Sequence, residues 1–277
     1  MRDGLGIVAG RGALPRLVAE ECVRTARPYR VVVFEGVALD WLEGQPVIHA
    51  AFERPGRLFA ALRAAGCGAV TFAGGIVRPK LRPTRFDLTM LRIAPRLLGA
   101  VRAGDDATLR KVASVFEAAG FRVEAPQALL PHLPVPAGML SRALPSDRDR
   151  ADAARAAAIV AAMGAVDVGQ AAVVAQGICL GVESIQGTDA LLDFVARTAE
   201  RFRPDPRGPK GVLYKGPKPG QDLRLDLPAI GPDTLHGAAR AGLAGVAVEA
   251  GGVMILDTAA AVAAADAGGL FLWAREP

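Results

Sequence analysis

The sequence predicts an α/β protein of two domains, on three observations. In the first half, short apolar runs alternate with amphipathic stretches of helical period. Around residues 130–145 the texture changes, with Pro131, Pro134, Pro136 and Pro145 breaking up a stretch of little periodicity. The length, 277 residues, exceeds one domain of about 100–150. A first domain is expected over 1–130, a Pro-rich linker over 131–146 and a second domain over 147–277. The first should be Rossmann-like with a mostly parallel sheet, the second mixed α/β.

Taken in order, residues 5–9 form a short apolar run suited to a buried strand, and 14–25 carry helical periodicity. Residues 30–35 (RVVVFE) are β-branched and read as a second strand, 57–65 as a helix with Leu58, Phe59, Leu62 and Ala65 on one stripe, and 69–73 (AVTFA) as a third strand. Helices follow at 88–101 and 105–119, where Asp105 and Asp106 suit the positive end of a helix dipole, then a strand at 121–124. After the linker, Ser146 is a good cap for a helix over 147–163. Residues 171–175 and 178–182 flank Gln176-Gly177 as a β-hairpin. A helix from Gly187 through Thr198, a strand at 211–214, an alternating strand at 222–226, a helix at 234–241, strands at 245–248 and 253–256 and a helix from Asp257-Thr258 complete the expectation.

The apolar fraction is 51% and the charged fraction 22%, enough for packed cores and against bulk disorder. Aromatics are only 5%, so the cores must be built from Ala, Val, Leu and Ile. A net charge of +5 suits anionic ligands or an anionic membrane surface, yet no basic run is interleaved with aromatics, which argues against a nucleic-acid partner. Cys22, Cys67 and Cys179 are widely spaced and fit a reducing, cytoplasmic setting. No apolar stretch reaches the ~18 residues of a membrane-spanning helix, so any membrane contact should be peripheral.

Of the 33 basic residues only Lys80, Lys111, Lys210, Lys215 and Lys218 are lysines, and the last three fall within nine residues. The stretch 215–226 (KGPKPGQDLRLD) holds two Lys, one Arg and two Asp. A diphosphate ester needs both charge types: cations for its oxygens, carboxylates for a divalent ion or a water. If 222–226 is a strand, Asp222, Arg224 and Asp226 share one face; a salt-bridge ladder on a solvated face is the equal alternative. Gly10 and Gly12 follow the first strand, Gly74 and Gly75 the third; such turns let backbone N–H groups approach a phosphate, or simply turn the chain tightly. Glu183 ends the hairpin. Thr188 and Asp189 open the next helix, as cap and first-turn acid or as ligand contacts. His49, His132 and His236 are scattered, and Cys179 sits in an apolar strand where it should be inert core.

Six blocks, GIVAGRGALP, FAGGIVRP, GDDATLR, VGQAAVVAQGICLGVESIQGTDALL, KGPKPGQDLRLDLPAIGPDT and AARAGLAGVAVEAGG, together resemble the LpxI-type UDP-2,3-diacylglucosamine pyrophosphatases, in the same order along nearly the whole chain. The resemblance implies hydrolysis of a lipid-linked UDP-sugar to 2,3-diacylglucosamine 1-phosphate (lipid X) and UMP in lipid A synthesis, with Mg²⁺. It also implies two α/β domains holding the substrate, at the cytoplasmic face of the inner membrane, and leaves room for a homodimer. By its Asp-Leu-Pro context Asp226 matches the family's essential aspartate, as metal ligand or water-positioning base. Lys215 and Arg224 join it as catalytic residues, and Asp222 and Glu183 as supporting metal ligands. Gly10, Gly12, Gly74, Gly75, Thr188, Asp189, Lys218 and Gln221 are the expected substrate contacts. Arg11 stands where the family pattern has glycine. A nucleotide-dependent oxidoreductase and a non-enzymatic nucleotide or lipid binder are the alternatives. The missing third glycine of a dinucleotide fingerprint weighs against the first.

Overall fold

The computed structural model describes residues 3–75, 80–101 and 105–277, with the backbone alone for 96–101 and 105–106. Residues 76–79 of the FAGGIVRP block, Gly104 of GDDATLR and the side chains of Asp105 and Asp106 therefore lie outside the described residues. The chain divides into two compact units. The first runs to Pro131 and also takes Asp222–Asp226; the second comprises His132–Gln221 and Leu227–Pro277.

In the first unit the elements follow as β1 (Gly4–Ala9), α1 (Leu14–Arg24), β2 (Tyr29–Phe34), β3 (Val47–Ala50), α2 (Pro55–Ala64), β4 (Cys67–Ala73), α3 (Leu88–Val101), α4 (Asp105–Ala118), β5 (Arg122–Val123) and α5 (Pro126–Leu129). Proline opens α1 and α2, where its missing N–H costs no hydrogen bond. Among the described residues the strands form one parallel sheet ordered β3-β2-β1-β4-β5. The chain leaves β1 toward β2 on one side and returns to β4 on the other. The switch point of this doubly wound sheet therefore lies at the C-terminal ends of β1 and β4, where open α/β sheets bind their ligands. The scarce aromatics concentrate here. Phe59 and Phe72 each meet Phe116 edge-on, at centroid distances of 5.1 and 5.4 Å, over Val8, Val32, Leu62 and Val70. Leu225 belongs to the same core.

The second unit holds β6 (Gly138–Met139), α6 (Asp147–Gly164), β7 (Ala171–Ala175), β8 (Ile178–Val182), α7 (Gly187–Phe202), β9 (Val212–Lys215), β10 (Ala229–Ile230), α8 (Pro232–Arg240), β11 (Gly245–Glu249), β12 (Met254–Ile255), α9 (Thr258–Ala267) and β13 (Phe271–Arg275). Its main sheet is mixed, ordered β6-β13-β11-β9-β7-β8, with β13, β11 and β9 parallel and β6, β7 and β8 antiparallel to their neighbours. Alternation along the strands divides the core. Ala172, Val174, Val212 and Ala247 pack with Ala153, Ala156 and Val160 of α6. Ala171, Val173, Leu213 and Val246 pack with Leu191, Leu192 and Val195 of α7, Leu235 of α8 and Ala261 of α9. Small Ala faces let these helices lie close to the sheet, and Tyr214 and Phe271 are the buried aromatics on the α6 side.

Ser146 caps α6 as expected: its hydroxyl accepts from the Asp149 N–H at 3.2 Å, and Asp149 accepts from the Ser146 N–H at 2.9 Å. The β7–β8 hairpin also forms, with Gln176 and Gly177 at φ 54° and 80°. Both turn N–H groups donate to the buried Asp152 carboxylate of α6, at 2.8 and 2.7 Å. Three expectations need correction. Residues 222–226 are a turn rather than a strand: Leu225 N–H donates to the Asp222 carbonyl at 2.9 Å, and the Asp222 side chain accepts from the Arg224 N–H at 3.1 Å. Side-chain closure of this kind overrides an alternating pattern. Thr188 is not a cap, because α7 begins one turn-residue earlier, after Gln186. Cys179 is exposed on the edge strand β8, while Cys22 and Cys67 are buried, and burial pushes the Cys22 thiol up to about 11. Strands β3, β6, β10 and β13 and helix α5 were not anticipated. Among the described residues no helix is long and apolar enough to cross a membrane.

Candidate functional site

The two glycine turns meet at the switch point of the first unit. Gly10 N–H donates to the Ala73 carbonyl at 2.7 Å, Arg11 N–H to Gly75 at 2.8 Å and Gly75 N–H to Arg11 at 3.1 Å. A Cβ on Gly10 would lie 2.5 Å from the Gly74 carbonyl oxygen, and one on Gly74 would lie 2.3 Å from that of Arg11. Glycine is thus required because two backbones touch. The N–H groups of Gly10 and Gly75 close that contact instead of facing a ligand. Gly12, at φ +94°, has open space around it. A separate cleft of ≈ 310 Å³ at the end of β3 is lined by Glu35, His49, Arg54 and Arg57 among others and contains none of the four glycines.

Residues 222–226 also belong to the first unit, held by the buried Leu225 and by Gln127, whose side-chain amide donates to the Leu223 carbonyl at 2.7 Å. Arg224 grips Asp222 through Nε and Nη2 at 3.0 and 2.8 Å and reaches Glu117 at 3.4 Å. The guanidinium hydrogen-bonded to Asp222 holds that carboxyl below its usual range. Asp222 and Arg224 therefore engage each other rather than lining up with Asp226 on a strand face. Asp226 itself is half-buried between the buried Leu225 and Leu227.

In the second unit the structure joins Lys215 to Thr188 and sets Glu183 across β7 from Lys215. Lys215 ends β9 and is 6% exposed; its Nζ donates to the Thr188 hydroxyl at 2.7 Å. Lys215 pairs with Ala171 across the sheet, and Glu183 N–H donates to the Ala171 carbonyl at 2.8 Å from the other side. Directly opposed residues share a face, so Lys215 and Glu183 emerge on either side of the small Ala171. Among the described residues no carboxylate lies within ion-pair reach of Lys215, and the buried Oε2 of Glu183 has no hydrogen-bond partner. Gln170, one residue before Ala171, likewise buries an unpartnered Oε1, while its carbonyl accepts from Gly216 N–H at 3.1 Å. An uncompensated buried charge is costly, and unsatisfied buried acceptors call for an explanation. A ligand bearing both an anion and hydrogen-bond donors would supply one.

Lys218 and Gln221 have a different surrounding. Lys218 Nζ pairs with Asp167 at 2.5 Å, and Gln221 Oε1 accepts from the Lys218 N–H at 2.9 Å, so both hold the loop after β9. Asp189 lies in the first turn of α7, where its charge complements the dipole. Gln170 and Asp167 were missed in the sequence. Nothing in a lone Gln or Asp before a strand marks it, although both precede or open the block that carries Glu183 and Thr188.

The LpxI N-terminal domain model matches residues 4–133 and the LpxI C-terminal domain model residues 136–273. The UDP-2,3-diacylglucosamine pyrophosphatase LpxI of Caulobacter vibrioides is 41% identical over 273 residues, 99% of this chain and 98% of that protein. The chain belongs to the LpxI family. Family membership spans both units, so the buried Lys215 cluster and the Asp226 turn are parts of one protein rather than of a fusion of unrelated domains.

Proposed function

We propose that this chain is a pyrophosphatase that hydrolyses the phosphoanhydride of UDP-2,3-diacylglucosamine to 2,3-diacylglucosamine 1-phosphate and UMP, in the cytoplasm and with Mg²⁺. Within a family whose curated relative is named a UDP-2,3-diacylglucosamine pyrophosphatase, the observation that supports the reading best is the buried Lys215, which has no counter-ion among the described residues, with the unpartnered Glu183 oxygen across β7. Lys215, oriented by Thr188, is the cation for a nonbridging diphosphate oxygen, and Glu183 Oε2 accepts from a substrate hydroxyl or imide group. In a buried setting such a preset cation stabilises developing charge far better than one in water.

Magnesium is ordinarily held by one or two carboxylates plus substrate phosphates rather than by a protein cage. Among the described residues no three His, Cys, Asp or Glu side chains converge, and Asp222 is engaged by Arg224, which fits an ion that arrives with the diphosphate. Asp226 is the carboxylate we assign to it. Bound there, the ion would screen phosphate charge; Asp226 would also orient the attacking water. Glu183, across β7 from Lys215, is assigned to the substrate rather than to the metal.

The test is hydrolysis of detergent-dispersed UDP-2,3-diacylglucosamine, followed as UMP release with Mg²⁺, with chelator, and with Mg²⁺ restored. Release that stops with chelator and returns with Mg²⁺ supports the proposal. Absence of UMP from the folded protein under all three conditions contradicts it.

A further inference from the structure

We propose that residues 80–92 are a bilayer-docking element that seats the first unit on anionic phospholipid. The inference rests on the lipid-linked substrate proposed above and names the surface through which the protein would reach it. Leu81, Leu88 and Leu91 are 39%, 72% and 55% exposed, three large apolar side chains within eleven residues. Leu88 and Leu91 stand one helical turn apart on the outer side of α3, while Met90 on the inner side is 3% exposed. Exposed Lys80, Arg82 and Arg92 lie beside them in the sequence, and the stretch carries four basic residues against one acid, Asp87.

That acid faces inward. Asp87 Oδ1 accepts from the Met90 N–H at 2.7 Å and Oδ2 from the Gly56 N–H at 2.8 Å, so a single carboxylate serves the N-terminal turns of both α3 and α2. Glu53 accepts from the Arg82 N–H at 3.1 Å, and Arg85 binds Glu35 through two bonds of 2.8 and 2.7 Å. The backbone is therefore fixed to the unit by its acids, while the leucines and the remaining cations are presented outward. Exposed cations beside exposed leucines match a bilayer interface: the leucines enter the acyl boundary and Lys80, Arg82 and Arg92 meet anionic headgroups. A protein partner would be expected to bring acids against those cations, and a second copy of this same basic surface would not.

The experiment uses the full chain and cosedimentation with vesicles of phosphatidylethanolamine and phosphatidylglycerol, or of phosphatidylcholine alone. The wild type should partition onto the anionic vesicles, less at high salt and less onto the neutral ones. The Leu88→Glu, Leu91→Glu double variant should lose at least tenfold in partitioning, and Arg82→Glu, Arg92→Glu severalfold. Leu144→Glu, a control at a 70% exposed leucine of the second unit, should bind like the wild type. UMP release from detergent-dispersed substrate should be unchanged in the double variant. Wild-type partitioning by the double variant, or an equal loss in Leu144→Glu, overturns the docking surface. A wild type that hydrolyses the dispersed substrate but ignores vesicles overturns the docking alone; one that binds vesicles yet never releases UMP overturns the substrate reading instead.

Discussion

Two buried cations, Arg27 of the first unit and Lys215 of the second, are handled in opposite ways. In the first unit, Arg27, 6% exposed at its side chain, donates two bonds of 2.7 and 3.0 Å to Glu124, and Arg224 is divided between Asp222 and Glu117. These are closed pairs. In the second unit the similarly buried Lys215 has, among the described residues, a threonine hydroxyl and no carboxylate, and the Glu183 Oε2 across β7 has no hydrogen-bond partner. Proteins rarely leave a buried ammonium without an acid unless something else supplies the negative charge. The difference marks Lys215, rather than the more conspicuous Arg224, as the cation held ready for a ligand.

The largest expected effect is on the side of chemistry. Asp226→Ala should lower turnover of UDP-2,3-diacylglucosamine by about 1000-fold, a loss of ~4 kcal/mol of transition-state stabilisation, while circular dichroism stays that of the wild type. Wild-type UMP release from that variant would remove Asp226 from the mechanism. Next comes the closed pair. Breaking a buried ion pair by removing one partner is strongly destabilising, and with Glu124 a quarter exposed the cost of Arg27→Ala should be about 2–3 kcal/mol by urea denaturation at pH 7. Hydrogen bonding to Arg27 holds the Glu124 carboxyl below its ordinary 4.5. Its folded-state pKa is thus depressed, so the pair stabilises fully above about pH 5 and fades as pH falls through that lowered value. The gap between wild type and Arg27→Ala should shrink on acidification below about pH 4; a constant gap would mean that packing rather than charge carries the effect.

The smallest effect should come from Arg224. Its side chain is 53% exposed, and exposed pairs contribute about 0–1 kcal/mol, so Arg224→Ala should shift stability by less than that and turnover by only a few-fold. A 100-fold loss of turnover would show that Arg224 leaves Asp222 for the substrate, and would erase the contrast between the units.

Much of this was legible in the sequence. The strand–helix alternation of the first half, the Ser146 cap and the Gln176-Gly177 hairpin all come from local rules of capping, turn chemistry and apolar period. The Asp222–Asp226 stretch misled because Asp and Arg hydrogen bonds closed a turn where alternating leucines suggested a strand, and because it packs with the first unit although its neighbours in sequence belong to the second. The glycine turns were found, but their use was not: only the sheet order shows that β1 and β4 are adjacent, so that Gly10 and Gly74 must pass at backbone distance. The placing of Glu183 across β7 from Lys215 needs strand register to appear at all, since the two are about thirty residues apart in sequence. Strand β13 was overlooked although FLWAR has the aromatic, apolar composition of a buried strand.

Calorimetric titration of UDP into the wild type and into Lys215→Met tests the central claim most directly. Methionine keeps the length and removes the charge, so the variant should melt at or above the wild-type temperature while UDP affinity falls at least 30-fold, about 2 kcal/mol. Equal UDP affinity in a folded Lys215→Met protein would contradict the account.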